Sequence, residues 1–116
     1  MTLDKSHQKP VYVRIREEIG NAILAGDYRD GDALPSVRAL AGEMGANPLT
    51  VAKAYQGFQD EGLVSVKRGV GMFVAEGARE RLRAVERERF LKSEWPEIRE
   101  RMDRLGIEPG ELLAGA

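Results

Sequence analysis

Residues 35–62 read PSVRALAGEMGANPLTVAKAYQGFQDEG and predict two short helices joined by a tight turn. The first helix begins after Ser36, a residue type that caps helices well, and ends at Gly45. The second begins after Asn47, another good cap, with Pro48 at the first helical position, where the missing backbone N–H is not needed. Two short helices with so brief a connection are typical of a helix-turn-helix.

Apolar residues recur at helical spacing in these helices and in the segment before them. An earlier helix is predicted from Pro10, which fits a first helical turn, to Gly26, which ends it. Its apolar face is Val11, Ile15, Ile19, Ala22 and Ile23. The apolar residues of the two short helices are Val37, Leu40, Ala41 and Met44, then Val51, Ala54, Tyr55 and Phe58.

A β-hairpin is predicted after the second short helix. The runs Leu63–Val66 and Met72–Ala75 are rich in residues that favour strands, and residues 67–71 join them. The two glycines in this connection supply the positive φ angles that a hairpin turn needs. Residues 33–34 are a candidate for a very short strand. Helix, helix-turn-helix and hairpin in this order predict a winged helix-turn-helix.

The C-terminal third has a different composition. Residues 78–105 are rich in Arg and Glu, with sparse apolar positions. Pro96 is expected to split them into two helices, the second beginning near Ser93 or Glu94. Residues 109–113 are expected to form a last helical turn.

The predicted fold class is α+β, mostly α. Residues 1–9 form a polar leader, and residues 10–77 form the winged helix-turn-helix. The recognition helix is predicted at residues 48–61 and the wing at residues 63–75. Residues 78–116 form a short helical dimerisation segment.

The composition excludes several function classes. Cysteine is absent, which rules out disulfides, thiolate catalysis and Cys-type zinc sites. His7 is the only histidine, so no Ser-His-Asp triad and no metal site is expected within one chain. Residues 69–74 lack the third glycine of a dinucleotide fingerprint and lead into a strand. We therefore predict no enzyme, no catalytic residue and no cofactor.

Hydropathy and charge limit the location and the partners. No apolar run approaches the roughly 18 residues of a membrane span, and no secretion leader is evident, so a cytoplasmic protein without a membrane partner is expected. The net charge of −1, from 18 Lys and Arg against 19 Asp and Glu, argues weakly against nucleic acid. Neither residues 1–75 nor residues 76–116 have a basic excess, so any DNA-binding face depends on local placement of charge.

The open side of the second short helix carries candidate DNA contacts. With the apolar stripe facing inward, this side consists of Asn47, Leu49, Thr50, Lys53 and Gln56. Asparagine can read adenine, threonine can meet a phosphate or a thymine methyl group, and lysine can reach a phosphate or a guanine. Leucine can make only apolar contact. The alternative is a solvated helix face with an Asn cap.

Further candidates flank this helix. Ser36 and the adjacent helix-start N–H groups can hold a phosphate, and Arg38 can reach a guanine or a second phosphate. Lys67 and Arg68 at the hairpin tip can touch a DNA backbone or a minor groove, and Gly69 allows close approach to a partner. Each of these five residues can also be an ordinary solvated surface residue, but together they are expected to surround one helix.

Five segments of the sequence carry a family resemblance: Pro10–Tyr12, Leu34–Ala41, Asn47–Tyr55, Glu61–Val64 and Gly69–Val74. In this order they resemble the GntR-type winged-helix regulators over residues 10–77. The Asn-Pro-Leu-Thr-Val motif and the short charged tail are similar to the YtrA-type branch of that family.

The resemblance implies a bacterial transcriptional regulator, usually a repressor, that binds a palindromic operator as a dimer. Family DNA contacts fall at positions matching Ser36, Arg38, Asn47, Thr50, Lys53, Lys67, Arg68 and Gly69. Many members carry an arginine where this chain has Pro48, so base readout by that arginine does not carry over. Met72 stands where Thr or Ser is usual and is expected to affect hairpin packing rather than DNA contact.

The tail after the winged helix has about 40 residues, too few to enclose a typical ligand pocket, so any small-molecule effector is left unassigned. The residues predicted for a homodimer interface are Leu82, Val85, Phe90, Trp95, Ile98, Met102 and Leu105. Alternatively, Phe90 and Trp95 cover the winged helix of their own chain. An alternative for the whole protein is a winged helix used as a protein–protein interaction module, which the near-neutral charge and the Pro48–Leu49 face keep open.

Overall fold

The structure, a computed structural model, describes residues 9–115 of the 116-residue chain. The predicted leader lies outside this range except for its last residue, and His7 lies outside it. The chain divides into two compact units with the boundary between Leu82 and Arg83. The elements are α1 (Val11–Ala25), α2 (Val37–Met44), α3 (Pro48–Asp60), β1 (Val64–Lys67), β2 (Gly71–Val74), α4 (Ala78–Arg89), a π-helical turn (Phe90–Glu94), α5 (Trp95–Leu105) and α6 (Pro109–Ala114).

The predicted helix-turn-helix is confirmed as α2 and α3. The Ser36 hydroxyl oxygen accepts a hydrogen bond from the backbone N–H of Ala39 at 3.1 Å, which caps α2. The Asn47 Oδ1 accepts one from the backbone N–H of Leu49 at 2.8 Å, which caps α3. The recognition helix ends at Asp60, one residue before the predicted end.

The first helix follows its predicted apolar pattern. Ile15, Ile19 and Ile23 are buried on one face of α1. Pro10 differs from the prediction, because it lies at the N-cap with extended backbone (φ −55°, ψ 147°) and not in the first turn. Its carbonyl accepts a hydrogen bond from the Arg14 N–H at 3.1 Å, so proline starts the helix without having to donate.

The predicted wing is an antiparallel hairpin of β1 and β2, with Val64 paired to Val74 and Lys67 paired to Gly71. The turn is closed by a hydrogen bond from the Val70 N–H to the Lys67 carbonyl at 2.9 Å. The very short strand is present as an isolated bridge between Ala33 and Phe73. This bridge attaches the wing to the segment that leads into α2.

The core of the first unit lies between α1, α2, α3 and the inner face of the wing. Tyr55 and Phe58 are among its largest fully buried side chains. The Tyr55 hydroxyl donates a hydrogen bond to the Pro35 carbonyl at 2.7 Å, and burial raises the pKa of this phenol above its ordinary range. The phenol therefore remains a donor that connects α3 to the residue just before the α2 cap.

The first turn of α4 belongs to the first unit, which shifts the predicted domain boundary from residue 77 to residue 82. Ala78 and Leu82 are buried in the core, with Leu82 only 5% exposed. A Cβ on Gly20 of α1 would lie 3.6 Å from the Leu82 side chain. Leu82 was predicted for the dimer interface, but the structure uses it to cover α1.

Polar contacts support the same assignment. The Gly77 N–H donates to the Asp30 carboxylate at 3.0 Å, at the start of α4. The Arg81 guanidinium donates to the Gly62 carbonyl at 2.6 Å, between α3 and β1. These bonds join the start of α4 to residues far away in the sequence.

In the second unit, Arg83–Ala116, two α-helices are present as predicted, and the second begins at Trp95 with Glu94 at its N-cap and Pro96 in its first turn. The connection between the two helices was not predicted. The backbone remains helical through Phe90–Glu94 as a π-helical turn and then continues as α5. Proline interrupts the α-helical hydrogen-bond ladder, and a single π turn accommodates that interruption without a loop. The expected last helical turn is present as α6. Across residues 9–115, no helix is both long and apolar enough to cross a lipid bilayer.

Candidate nucleic-acid interface

The outward face of α3 carries the predicted contact residues of the recognition helix. Because Val51 and Phe58 lie on the buried stripe, Leu49, Lys53 and Gln56 form a row on the opposite side, at spacings of four and three. All three are exposed, whereas Thr50 is only half-buried at the edge of this row. This row therefore presents one apolar side chain and two polar side chains to a partner.

The two helix caps keep part of their hydrogen-bonding capacity. The Ser36 oxygen is used to cap α2, which leaves its O–H free to donate to a phosphate. The Asn47 Oδ1 is used to cap α3, which leaves the Nδ2 amide as the donor that can turn outward. Asn47 is thus better suited to donate to a phosphate or a base acceptor than to make a bidentate contact with adenine.

The wing presents its three candidate residues in different ways. The Lys67 ammonium lies 4.7 Å from the centre of the Phe73 ring, a cation–π contact that holds it beside the hairpin. Arg68 is exposed at the tip. Gly69 has a φ of +77°, and a Cβ built there would meet no atom within 4 Å. In the free protein, glycine is therefore favoured at position 69 by the positive φ and not by crowding from neighbouring atoms.

A groove of about 440 Å³ lies between the start of α2 and the wing. It brings together Ser36, Lys67 and Gly69, which are distant in sequence. Met72 also lines it and packs against the core, in keeping with the expected role in hairpin packing. Arg38 is exposed in the first turn of α2, two residues after Ser36.

Three residues that support α3 were not identified from the sequence. The Arg16 guanidinium of α1 pairs with the Glu61 carboxylate at 2.6 Å and lies 4.9 Å from the centre of the Phe58 ring. Tyr12 lies beside Lys53, with the ammonium 5.6 Å from the ring centre. These contacts join α1 to the middle and the C-terminal end of α3. Nothing in the local pattern signals them, because each joins positions about 40 residues apart.

The residues predicted for a dimer interface fall into three groups. Val85, Phe90, Ile98 and Leu105 are exposed on the second unit. Trp95 is half-buried, and Met102 is buried in the single chain. Leu82 belongs to the core of the first unit, as described above. Four of the seven residues therefore remain as exposed apolar surface. Residues 9–115 contain no cluster of metal-ligating side chains.

The family model described as bacterial regulatory proteins, gntR family, matches residues 11–74, which contain α1, the helix-turn-helix and the wing. The chain belongs to the GntR family. Its winged helix is the DNA-binding module of these transcriptional regulators, and the relatives below are regulators rather than enzymes, as predicted.

Three comparisons with known proteins are informative. The chain is 39% identical to the HTH-type transcriptional repressor YtrA of Bacillus subtilis over 77 residues, which cover 66% of this chain and 59% of that protein. It is 31% identical to a solved GntR family transcriptional regulator from Listeria monocytogenes, with a TM-score of 0.74 and 91% of each chain covered. The AraR DNA-binding domain, solved in complex with operator ORR3, is 30% identical, with a TM-score of 0.55 over 57% of this chain and 80% of that one. The relation to the YtrA-type branch agrees with the sequence motif.

Proposed function

We propose that the protein is a transcriptional repressor that binds a palindromic operator as a homodimer. The recognition helix α3 enters the major groove, while the wing lies on the adjacent backbone or minor groove. The observation that carries this proposal is that the outward face of α3, the start of α2 and the tip of the wing each present an exposed cation, namely Lys53, Arg38 and Arg68. The start of α2 and the wing also line one groove.

The placement of individual charges, and not the net charge of −1, decides whether this surface suits DNA. Several acidic side chains of the first unit have partners within it. Glu61 pairs with Arg16, Glu17 pairs with Lys9 at 2.6 Å, and Asp30 accepts from a backbone N–H. Lys53 on the outward face of α3 and Arg68 on the wing are exposed, so they can meet phosphates although the net charge is −1.

The relatives support the mode of action. YtrA of Bacillus subtilis is named a repressor, and the AraR DNA-binding domain was solved on an operator. We extend repression and operator binding to this chain on the basis of these likenesses. A cytoplasmic location is part of the same proposal, since bacterial operator DNA lies there. No effector is assigned.

The exposed apolar residues of the second unit support the homodimer. The second unit exposes four large apolar side chains, namely Val85, Phe90, Ile98 and Leu105. This is more exposed apolar surface than two short charged helices usually have. A palindromic operator requires two recognition helices about 34–36 Å apart, or a multiple of that, which a second copy of the chain supplies.

The test is operator selection followed by a salt titration. The full-length protein is incubated with a random duplex library, and bound DNA is enriched and sequenced. We expect an inverted repeat and an affinity that falls steeply with salt, because phosphate contacts release counterions. Failure to enrich any sequence would contradict the proposal.

A second candidate is a protein–protein interaction module, which the 79% exposure of Leu49 favours. It predicts association with a protein partner that is insensitive to salt, together with no enriched DNA sequence. The same selection and titration separate the two functions.

A further inference from the structure

The exposed apolar side chains of the first unit are concentrated on the proposed DNA-facing surface. Among its described residues 9–82, the exposed large apolar side chains are Val11, Leu49, Val66 and Val70. Leu49 lies on α3 and both Val66 and Val70 on the wing. Leu49 is the most exposed, at 79%, ahead of Val70 at 73%. An isolated exposed leucine is ordinary, but three of four exposed apolar side chains on one functional surface suggest a use there.

Leu49 is held in a defined position at the start of α3. Its backbone N–H is fixed by the Asn47 cap at 2.8 Å, and Pro48 restricts the backbone just before it. Recognition helices contact base edges with their N-terminal residues. Leu49 is therefore placed where a side chain of this kind of helix meets a base.

The chemistry of leucine limits what it can read. It has no donor or acceptor, so it cannot recognise the polar edge of any base. The apolar feature that the major groove offers is the C5-methyl group of thymine. On the same outward row, Lys53 can reach a phosphate or a guanine, whereas Gln56 is bound to Asp60 at 2.9 Å. Leu49 supplies the apolar contact that its polar neighbours cannot make.

We propose that Leu49 selects thymine at one position of each operator half-site by packing against the C5-methyl group. The inference rests on the proposed function, because it requires α3 in the major groove. It adds a specificity-determining residue that reads a base without a hydrogen bond.

The test removes the methyl group and nothing else. Starting from the selected operator, each thymine is replaced in turn by deoxyuridine, and affinity for the full-length protein is measured by fluorescence anisotropy. Burial of one carbon group of this size predicts a loss of about fourfold at one position of each half-site. The Leu49→Ala variant should bind thymine and deoxyuridine operators equally at that position.

Val11→Ala is the matched control. Val11 is also an exposed apolar residue of the first unit but lies on α1, outside the proposed DNA-facing surface, so its removal should preserve the discrimination. Both side chains are exposed, so both variants should show the melting temperature of the unaltered protein. An equal affinity for thymine and deoxyuridine at every position would overturn the inference, and so would a discrimination that Leu49→Ala leaves intact.

The experiments distinguish an error in the proposed function from an error in the inference about Leu49. If no DNA sequence is enriched, the operator proposal falls and the inference about Leu49 falls with it. If an operator is bound tightly but every methyl group can be removed without loss, only the inference is overturned.

Discussion

The two units of the chain bury their apolar residues to different degrees. Among the described residues of the first unit, fifteen buried apolar residues form one core, which includes Phe58 at 1% exposure. Among the described residues of the second unit, only Met102 is a buried apolar residue, while residues such as Phe90, at 42%, remain exposed. The first unit therefore has what it needs to fold, whereas the apolar surface of the second unit is suited to a partner.

The largest expected effect uses one phenylalanine from each unit. Phe58→Ala should lower the free energy of unfolding by about 3–5 kcal/mol, because it leaves a cavity in the core. Phe90→Ala should cost less than about 1 kcal/mol when the protein is dilute enough to be monomeric, since its side chain is already exposed. Denaturant unfolding followed by far-ultraviolet circular dichroism measures both. Comparable losses would remove the distinction between the units.

The second prediction concerns association. Trp95→Ala should weaken the dimer by about 2–4 kcal/mol, because large aromatic residues are frequent hot spots at interfaces. Operator binding should weaken with it, because two linked half-site contacts become independent. Analytical ultracentrifugation over a concentration series gives the dimer dissociation constant. An unchanged constant would place the interface elsewhere.

Two truncated chains sharpen this prediction. A chain that ends at Arg89 keeps Ala78 and Leu82 in the core and should be a folded monomer. A chain that ends at Ala75 loses both buried residues and should be markedly less stable. A dimer of the chain ending at Arg89 at micromolar concentration would show that the first unit and α4 suffice for association.

The third prediction compares two arginines. Arg38→Ala should lose about 1–3 kcal/mol of operator affinity, the range for a good bidentate contact to a base. Arg99→Ala removes the same charge from the exposed surface of the second unit and should leave operator affinity nearly unchanged. Equal effects of the two substitutions on affinity would mean that only the overall charge matters.

The smallest expected effect concerns the wing. Removing both Lys67 and Arg68 should weaken binding to all sequences and flatten the plot of log affinity against log salt by up to about 2. Removing Lys92 and Arg99 from the second unit is the control and should leave this slope as it was. A wing variant with an unchanged slope would mean that the wing stays in solvent.

The elements predicted well from the sequence are those with local signals. The caps at Ser36 and Asn47 act within three residues, and they located α2 and α3. The glycines of residues 67–71 likewise located the hairpin turn. Of the predicted DNA contacts, Ser36, Lys67 and Gly69 line one groove in the structure, and their roles remain predictions from the family resemblance.

The errors arise where distant residues decide the outcome. Leu82 has the same pattern as its neighbours in a charged helix, and only its burial in the folded chain, at 5% exposure, reveals that it belongs to the core. The bond from Arg81 to Gly62 is equally invisible in the local sequence. Pro96 correctly indicated the start of α5, but no local signal indicated that a π-helical turn and not a loop connects α4 to α5.

The position of Trp95 has a spectroscopic consequence. It is the only tryptophan of the chain, and it lies half-buried in the second unit, next to the π turn. All three tyrosines, including the buried Tyr55, lie in the first unit. Selective excitation of tryptophan therefore reports on the second unit alone, while tyrosine absorbance reports on the first. The natural sequence thus carries a separate optical label for each unit.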